Sequence, residues 1–129
     1  FGDGLQTRAF SFIDDCLNPL WLAATSEKAS KQIINLGGTK YYTILESAKI
    51  VQEITKNNEI LFFEQRHEVK HAHSTWQKSI DILNYEDETS LKDGLYLMWE
   101  WAKKQPNRNQ KIWQNYEIDK LIYSYWKNK

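Results

Sequence analysis

Stretches that could form β-strands are short and few in this chain, and their scarcity limits the folds it can adopt. Two apolar stretches, 33–36 and 59–63, have the length of buried strands, and the alternation around Phe10 and Phe12 indicates a short extended segment. Two or three strands of this length are too few for a stable sheet of their own. The sequence therefore predicts a mixed α/β, helix-rich fold, with four or five helices and a few short strands.

The first predicted helix follows a pair of acidic residues. Asp14 and Asp15 precede apolar residues at helical spacing, and we expect their carboxylates to cap the helix and to face the positive end of its dipole. Proline is tolerated in the first turn of a helix, so Pro19 places the start between Asp15 and Asn18.

Three further helices are predicted along the chain. Thr43 and Glu46 have the spacing of a capping box at the start of one of them. Residues 76–83 have the pattern of a short helix. Ser90 is expected to cap a longer helix that runs through Lys104.

Composition and charge fit one small domain. The chain has 129 residues, of which 41% are hydrophobic and 26% charged. Its 17 basic and 17 acidic residues cancel, which disfavours nucleic acid as a partner.

A single cysteine, Cys16, excludes an internal disulfide and suits a reducing cytosol, so a cytoplasmic location is expected. No apolar run approaches the roughly 20 residues that span a bilayer, and no membrane association is expected.

Two groups of residues could suggest other chemistry. His67, His71 and His73 lie close together in a polar stretch, but no cysteine or second compact group of ligands accompanies them, so no metal site is predicted. Cys16 has no neighbouring histidine or lysine to activate it, and it is interpreted as a buried structural thiol.

Several short motifs follow one another in a fixed order. They are the stretches FGDGLQTR at 1–8, FSFIDD at 10–15, INLG at 34–37, TILE at 43–46, QRHEV at 65–69, TSLKDGL at 89–95 and WEW at 99–101. Together they resemble the C-terminal part of the extended short-chain dehydrogenases/reductases, the NAD-dependent nucleotide-sugar epimerases and dehydratases of the UDP-glucose 4-epimerase type. The resemblance covers residues 1–104, and residues 105–129 are similar to an aromatic C-terminal extension of some members.

The catalytic and cofactor-binding motifs of that family are absent from the matched region. It has no Gly-x-x-Gly-x-x-Gly fingerprint and no Tyr-x-x-x-Lys pair; Tyr123 and Lys127 have the right spacing but lie in the tail. The Gly37-Gly38 pair lacks the Lys-Ser/Thr of a P-loop and is interpreted as a tight strand-to-helix turn. The resemblance thus implies a substrate-binding half without catalytic residues. It would bind no NAD alone and would need an N-terminal Rossmann half that binds the cofactor.

The resemblance also implies three substrate-binding residues. Arg8 stands where the family has an arginine that contacts the diphosphate, Arg66 is the second candidate for that contact, and Glu68 is the expected acceptor of a ribose or hexose hydroxyl. The family's usual Arg-x-Gly-Asp is one residue shorter here, and its usual Asp after the first arginine is Ala9. In the alternative interpretation, Arg8 is a surface arginine paired with Asp14, and the other two charges are solvated.

Two functions therefore remain open. The first is the nucleotide-sugar-binding half of an NAD-dependent epimerase or dehydratase, inactive alone, with a UDP-sugar as its ligand. The second is a non-catalytic module that binds a nucleotide, a sugar or a protein. The first also predicts an apolar face where the other half would pack, including Trp21, Phe62, Phe63 and Trp76, and hence a tendency to form homo-oligomers.

Overall fold

A computed structural model of the chain describes residues 1–56 and 59–107. They form four α-helices, one 3-10 turn and one small sheet, which confirms the mixed, helix-rich class. In chain order the elements are β1 (Thr7–Ala9), α1 (Ile13–Thr25), the 3-10 turn (Glu27–Ala29), β2 (Tyr41–Thr43), α2 (Ile44–Thr55), β3 (His71–Ala72), α3 (Gln77–Leu83) and α4 (Leu91–Ala102).

The strand β1 is the centre of the sheet, whose order is β2-β1-β3. It pairs antiparallel with β2, with Thr7 opposite Thr43, and parallel with β3, with Thr7 opposite His71. The parallel pairing brings two segments that are distant in sequence to one edge of β1. Residues just before β3 therefore lie beside residues just before β1.

The strand predictions were wrong in position. The stretches 33–36 and 59–63 form no strand, and β1 lies just before the extended segment predicted around Phe10 and Phe12. A short apolar run suits packed irregular chain as well as it suits a strand. Ile33, for example, is 88% exposed and has no buried strand face. The observed β2 and β3 are three and two residues long, and their pairing with β1 defines them.

The helix α1 begins earlier than predicted, and Pro19 lies in its interior. Asp14 and Asp15 are in its first turn, but no side chain caps the helix, so the predicted capping was wrong. Asp15 instead accepts hydrogen bonds from Thr89, from the backbone N–H at 2.9 Å and from Oγ1 at 2.7 Å. Its carboxylate therefore joins two distant parts of the fold rather than closing its own helix end.

The other three helices confirm their predictions closely. The Thr43 hydroxyl accepts from the Glu46 backbone N–H at 3.0 Å, and the Glu46 carboxylate accepts from the Thr43 backbone N–H at 2.7 Å. These hydrogen bonds from Thr43 lower the pKa of Glu46. Ser90 caps α4 by accepting from the Asp93 backbone N–H at 3.1 Å, and α4 ends two residues before the predicted Lys104.

Few large side chains are buried among the described residues. Leu83, the last residue of α3, and Tyr85, two residues later, are each 2% exposed and form the centre of the core. One side of α1 is left uncovered, with exposed Ile13, Leu17, Leu20 and Trp21. Of the apolar face predicted from sequence, Trp21, Phe62 and Phe63 are exposed and Trp76 is half-buried.

The aromatic C-terminal extension, with Tyr123 and Lys127, lies outside the described residues apart from 105–107. Within the described ranges, none of the helices has both the length and the apolar character to cross a membrane.

Candidate functional site

The candidate site is built on the loop that leads into β1. Asp3 accepts a hydrogen bond from the Leu5 backbone N–H at 2.9 Å, which closes a tight turn. Gly4 has a φ of +74°, a conformation that favours glycine, and a Cβ there would lie 3.0 Å from the Cβ of Leu45. Its carbonyl accepts from the Leu45 backbone N–H at 2.9 Å. The loop is thus fixed against the first turn of α2.

Backbone hydrogen bonds fix a second segment, residues 63–70, alongside this loop. The Gly2 N–H donates to the Phe63 carbonyl at 2.9 Å, and the Thr7 N–H donates to the Lys70 carbonyl at 2.8 Å. The two segments therefore run side by side between these bonds. This arrangement places Glu68 next to Gln6 and Arg8, and Arg66 next to Phe1.

Arg8 forms an ion pair with Glu68. Its Nη2 lies 2.9 Å from Oε2 of Glu68, and its Nη1 donates to the carbonyl of Thr7 at 2.8 Å. The alternative pairing of Arg8 with Asp14 is wrong, because the carboxylate that Arg8 contacts is that of Glu68. The side chains of Arg8 and Glu68 are 26% and 36% exposed, so the pair contributes about 1 kcal/mol at most to stability.

Gln6 is one of two residues of the site, with Phe1, that the sequence analysis did not predict. It is 9% exposed, and its Nε2 donates to Oε1 of Glu68 at 3.1 Å and to the carbonyl of Phe1 at 3.2 Å. Both carboxylate oxygens of Glu68 thus accept a hydrogen bond, one from Gln6 and one from Arg8. The available signal was its position two residues before Arg8, since alternate residues of an extended segment share a face.

Arg66 lies over an aromatic ring. Its Cζ is 3.3 Å from the centroid of the Phe1 ring, which is a cation–π contact. The Phe1 ring in turn is 5.5 Å from the ring of Phe63. The guanidinium of Arg66 therefore lies on the Phe1 ring, which itself packs at a tilt against Phe63.

A small pocket opens between the two segments. Its lining residues are Phe1, Gly2, Asp3, Gln6, Gln65, Arg66, Glu68 and Lys70. Arg66 and Glu68 thus share one pocket, and Arg8 is connected to it through Glu68. The enclosed space is about 90 Å³, below the roughly 300 Å³ at which pockets for whole small-molecule ligands begin. This space suits one anionic group of a ligand rather than an entire nucleotide sugar.

The histidines of the neighbouring segment have partners in the sheet. Nδ1 of His71 is 2.9 Å from Oγ1 of Thr7, and the ring of His73 is 4.7 Å from that of Tyr41. In the part of the chain that the structure describes, no group of three or more His, Cys, Asp or Glu side chains could hold a metal ion.

Cys16 is half-buried on α1. Burial raises the pKa of its thiol, and the nearby carboxylates of Asp15 and Asp87 raise it further. A raised pKa disfavours the thiolate, which is the nucleophilic form. The environment of Cys16 is therefore that of a structural thiol.

The glycine pair at 37–38 does not fit the phosphate groups of NAD. A Cβ on Gly38 would lie 2.1 Å from the carbonyl oxygen of Phe10. The backbone of Phe10 therefore fills the space beside Gly38. A dinucleotide cradle needs glycine backbone that is open to the pyrophosphate. Gly38 instead permits close packing of the chain on β1's end, and the residues of this pair would not hold the cofactor.

The chain is similar in sequence to several known proteins. No family model matches the chain. It is 30% identical over 98 residues to the uncharacterized UDP-glucose epimerase YtcB of Bacillus subtilis, covering 74% of this chain and 31% of that protein. It is 36% identical over 100 residues to UDP-glucuronic acid decarboxylase 2 of Arabidopsis thaliana, covering 76% of this chain and 22% of that protein. The chain thus spans less than a third of the length of these relatives.

The chain is also similar to solved structures of UDP-sugar epimerases. The UDP-glucuronic acid 4-epimerase of Bacillus cereus, in complex with UDP-glucuronic acid and NAD, matches with a TM-score of 0.72 and 31% identity over 81% of this chain and 34% of that one. The UDP-glucose 4-epimerase of Thermotoga maritima, with UDP-glucose, matches with a TM-score of 0.72 and 27% identity over 81% of this chain and 34% of that one.

Proposed function

Since the chain belongs to the NAD-dependent extended short-chain dehydrogenases/reductases that act on UDP-sugars, we propose that it is the nucleotide-sugar-binding part of such an enzyme. In this proposal, Arg8 and Arg66 bind the diphosphate of a UDP-sugar and Glu68 accepts a hydroxyl of its ribose or hexose. The observation that carries the proposal is that Arg66 and Glu68 line one pocket and that Arg8 contacts the same Glu68.

The chemistry of the side chains suits a diphosphate. A guanidinium presents planar N–H donors that can contact two phosphate oxygens at once, which a lysine ammonium cannot do. Arg66 lines the pocket, where one phosphate would fit, and Arg8 contacts Glu68 of the same lining. The Phe1 ring lies against the face of that guanidinium.

The ion pair between Arg8 and Glu68 leaves both groups able to form further hydrogen bonds to a ligand. Both side chains are partly exposed, so the pair is screened by water and salt. A diphosphate carries more negative charge than one carboxylate and forms bidentate contacts. On binding, N–H donors of Arg8 that do not contact Glu68 would contact the phosphates, and a remaining lone pair of the Glu68 carboxylate would accept a sugar hydroxyl.

The rest of the active site would come from a longer protein. The pocket holds only part of a nucleotide sugar, and the matched residues 1–104 contain neither the cofactor fingerprint nor the catalytic Tyr-x-x-x-Lys pair. We therefore assign NAD binding and hydride transfer to an N-terminal Rossmann half, with the chain alone inactive. The exposed apolar side of α1 is suited to packing against such a half.

Titration of UDP into the 129-residue chain tests this proposal. We expect saturable binding that Arg8→Ala weakens about tenfold to hundredfold, the range that corresponds to loss of a charge-assisted hydrogen bond. Lys28→Ala is the matched control, because it removes an exposed cation from the 3-10 turn and should leave the affinity unchanged. Equal affinity of the wild type and Arg8→Ala would contradict the assignment of Arg8.

A further inference from the structure

The geometry points to Gln6 as a positioning residue that sets the distance between the two guanidinium groups and thereby the preference for a diphosphate over a monophosphate. This inference rests on the proposed function, because it concerns how the same site distinguishes its ligands. Gln6 acts on the arginines through other residues. It donates to Glu68, which contacts Arg8, and to the carbonyl of Phe1, whose ring contacts Arg66.

The first link runs from Gln6 to Arg8. Nε2 of Gln6 donates to Oε1 of Glu68 at 3.1 Å, and Oε2 of Glu68 accepts from Nη2 of Arg8 at 2.9 Å. An exposed ion pair must hold two long side chains in one geometry, which costs conformational entropy. Because Gln6 already fixes the carboxylate of Glu68, less conformational entropy is lost when Arg8 forms the ion pair with it.

The second link runs from Gln6 to Arg66. The same Nε2 donates to the carbonyl of Phe1 at 3.2 Å, and the Phe1 ring lies 3.3 Å from Cζ of Arg66. A carboxamide nitrogen has two N–H donors, and these two acceptors use both of them. Gln6 is only 9% exposed, so solvent offers little competition for either bond.

One amide group thus connects the supports of both cations. Two guanidinium groups at a fixed separation favour a ligand that carries two phosphates, since each phosphate then meets its own cation without further reorganisation. A monophosphate can engage only one of them fully. Loosening of Gln6 should therefore reduce affinity for UDP more than affinity for UMP.

Guanidinium NMR of the 129-residue chain tests the positioning directly, and only three arginines need assignment. In the wild type we expect slow rotation about the Cζ–Nη bond of Arg8 and a ring-current shift of the Arg66 Nε–H. Gln6→Met keeps the side-chain length and removes both donors. It should accelerate the Arg8 rotation, alter the Arg66 shift and lower UDP affinity about threefold to tenfold, with a smaller change for UMP.

Gln77→Met is the matched control, because Gln77 also donates to a carboxylate, that of Asp81, but on the exposed side of α3. It should change none of these signals. Unchanged Arg8 and Arg66 signals in Gln6→Met, or an unchanged ratio of UDP to UMP affinity, would overturn the positioning role.

A second variant, Glu68→Gln, changes the link to Arg8 alone. This test does not require that Gln6→Met folds. Glu68→Gln weakens the contact to Arg8 and leaves the Phe1 side intact, so the Arg8 signal should change and the Arg66 signal should not. An unchanged Arg8 signal, or an equal change at Arg66, would contradict the two-link arrangement. If the wild type binds no UDP, the proposed function fails, whereas the guanidinium signals still decide the positioning by Gln6.

Discussion

Asp15 and Thr89 are 74 residues apart in sequence and form a two-point contact. Oδ2 of Asp15 accepts from the Thr89 backbone N–H at 2.9 Å, and Oδ1 accepts from the Thr89 hydroxyl at 2.7 Å. The contact joins the first turn of α1 to the residue that precedes the cap of α4. It fixes two helices that the small core alone holds weakly.

Loss of the Asp15 carboxylate should therefore destabilise the fold. Asp15→Ala leaves two partly buried donors of Thr89 without their acceptor, and we expect the free energy of unfolding to fall by about 1–3 kcal/mol. Asp14→Ala removes the neighbouring exposed carboxylate and should change it by less than about 0.5 kcal/mol. Urea unfolding of both variants measures the difference, and equal losses would show that helix-terminal charge, not the contact with Thr89, is responsible.

Substitution of Gly38 should be far more damaging than substitution of Gly37. A Cβ on Gly38 would lie 2.1 Å from the Phe10 carbonyl oxygen, so the backbone must shift, whereas the nearest atom to a Cβ on Gly37 is Oγ of Ser74 at 3.3 Å. We expect Gly38→Ala to cost about 3 kcal/mol or more and Gly37→Ala about 1 kcal/mol or less. Thermal unfolding compares the two, and a similar melting temperature for both variants would contradict the close approach at Gly38.

Alkaline pH should destabilise the protein through Tyr85. Burial raises the pKa of its phenol from 10.0 to about 12. The stabilising effect of this neutral, buried phenol is complete below about pH 10 and is lost as the pH rises through about 12, because the unfolded chain ionises first. The free energy of unfolding should fall by up to about 1.4 kcal/mol per pH unit in that window.

Tyr85→Phe should abolish most of this slope, whereas Tyr96→Phe removes an exposed hydroxyl from α4 and should leave the slope unchanged. Denaturant unfolding at several pH values gives the slopes. A wild-type slope that persists in Tyr85→Phe would place the titrating group elsewhere.

The uncovered side of α1 should promote self-association of the chain. Leu17 and Trp21 are 56% and 67% exposed on neighbouring turns of one helix face. We expect Leu17→Glu to lower the average mass measured by sedimentation at high concentration. Asn18→Glu adds the same charge to the same helix at an exposed polar position and should leave the mass unchanged. A wild type that stays monomeric throughout would contradict this use of the face.

The parts of the fold that the sequence predicted well are encoded within a few residues. The capping box of Thr43 and Glu46 and the cap formed by Ser90 and Asp93 each span four residues, so a local pattern contains both partners. The strands could not be predicted in the same way. His71 and Ala72 have no apolar signal, and they form β3 only because residues near Thr7 lie beside them.

The candidate site shows the same division. The resemblance to a family supplied Arg8, Arg66 and Glu68 as separate positions, and the structure adds that Arg8 and Glu68 are in contact. Gln6 and Phe1 were missed because their importance lies in contacts with residues more than sixty positions away. Alternation with Arg8 places Gln6 on the same face of the segment, but it does not identify the distant partner Glu68.

The most direct test of the central claim compares ligands with and without the diphosphate. The claim is that Arg8 and Arg66 together bind two phosphates, so UDP should bind the 129-residue chain more tightly than uridine. Arg8→Ala and Arg66→Ala should each reduce that advantage, and the double variant should abolish it while leaving uridine binding unchanged. If the double variant retains the full preference for UDP over uridine, the two guanidinium groups do not bind the diphosphate.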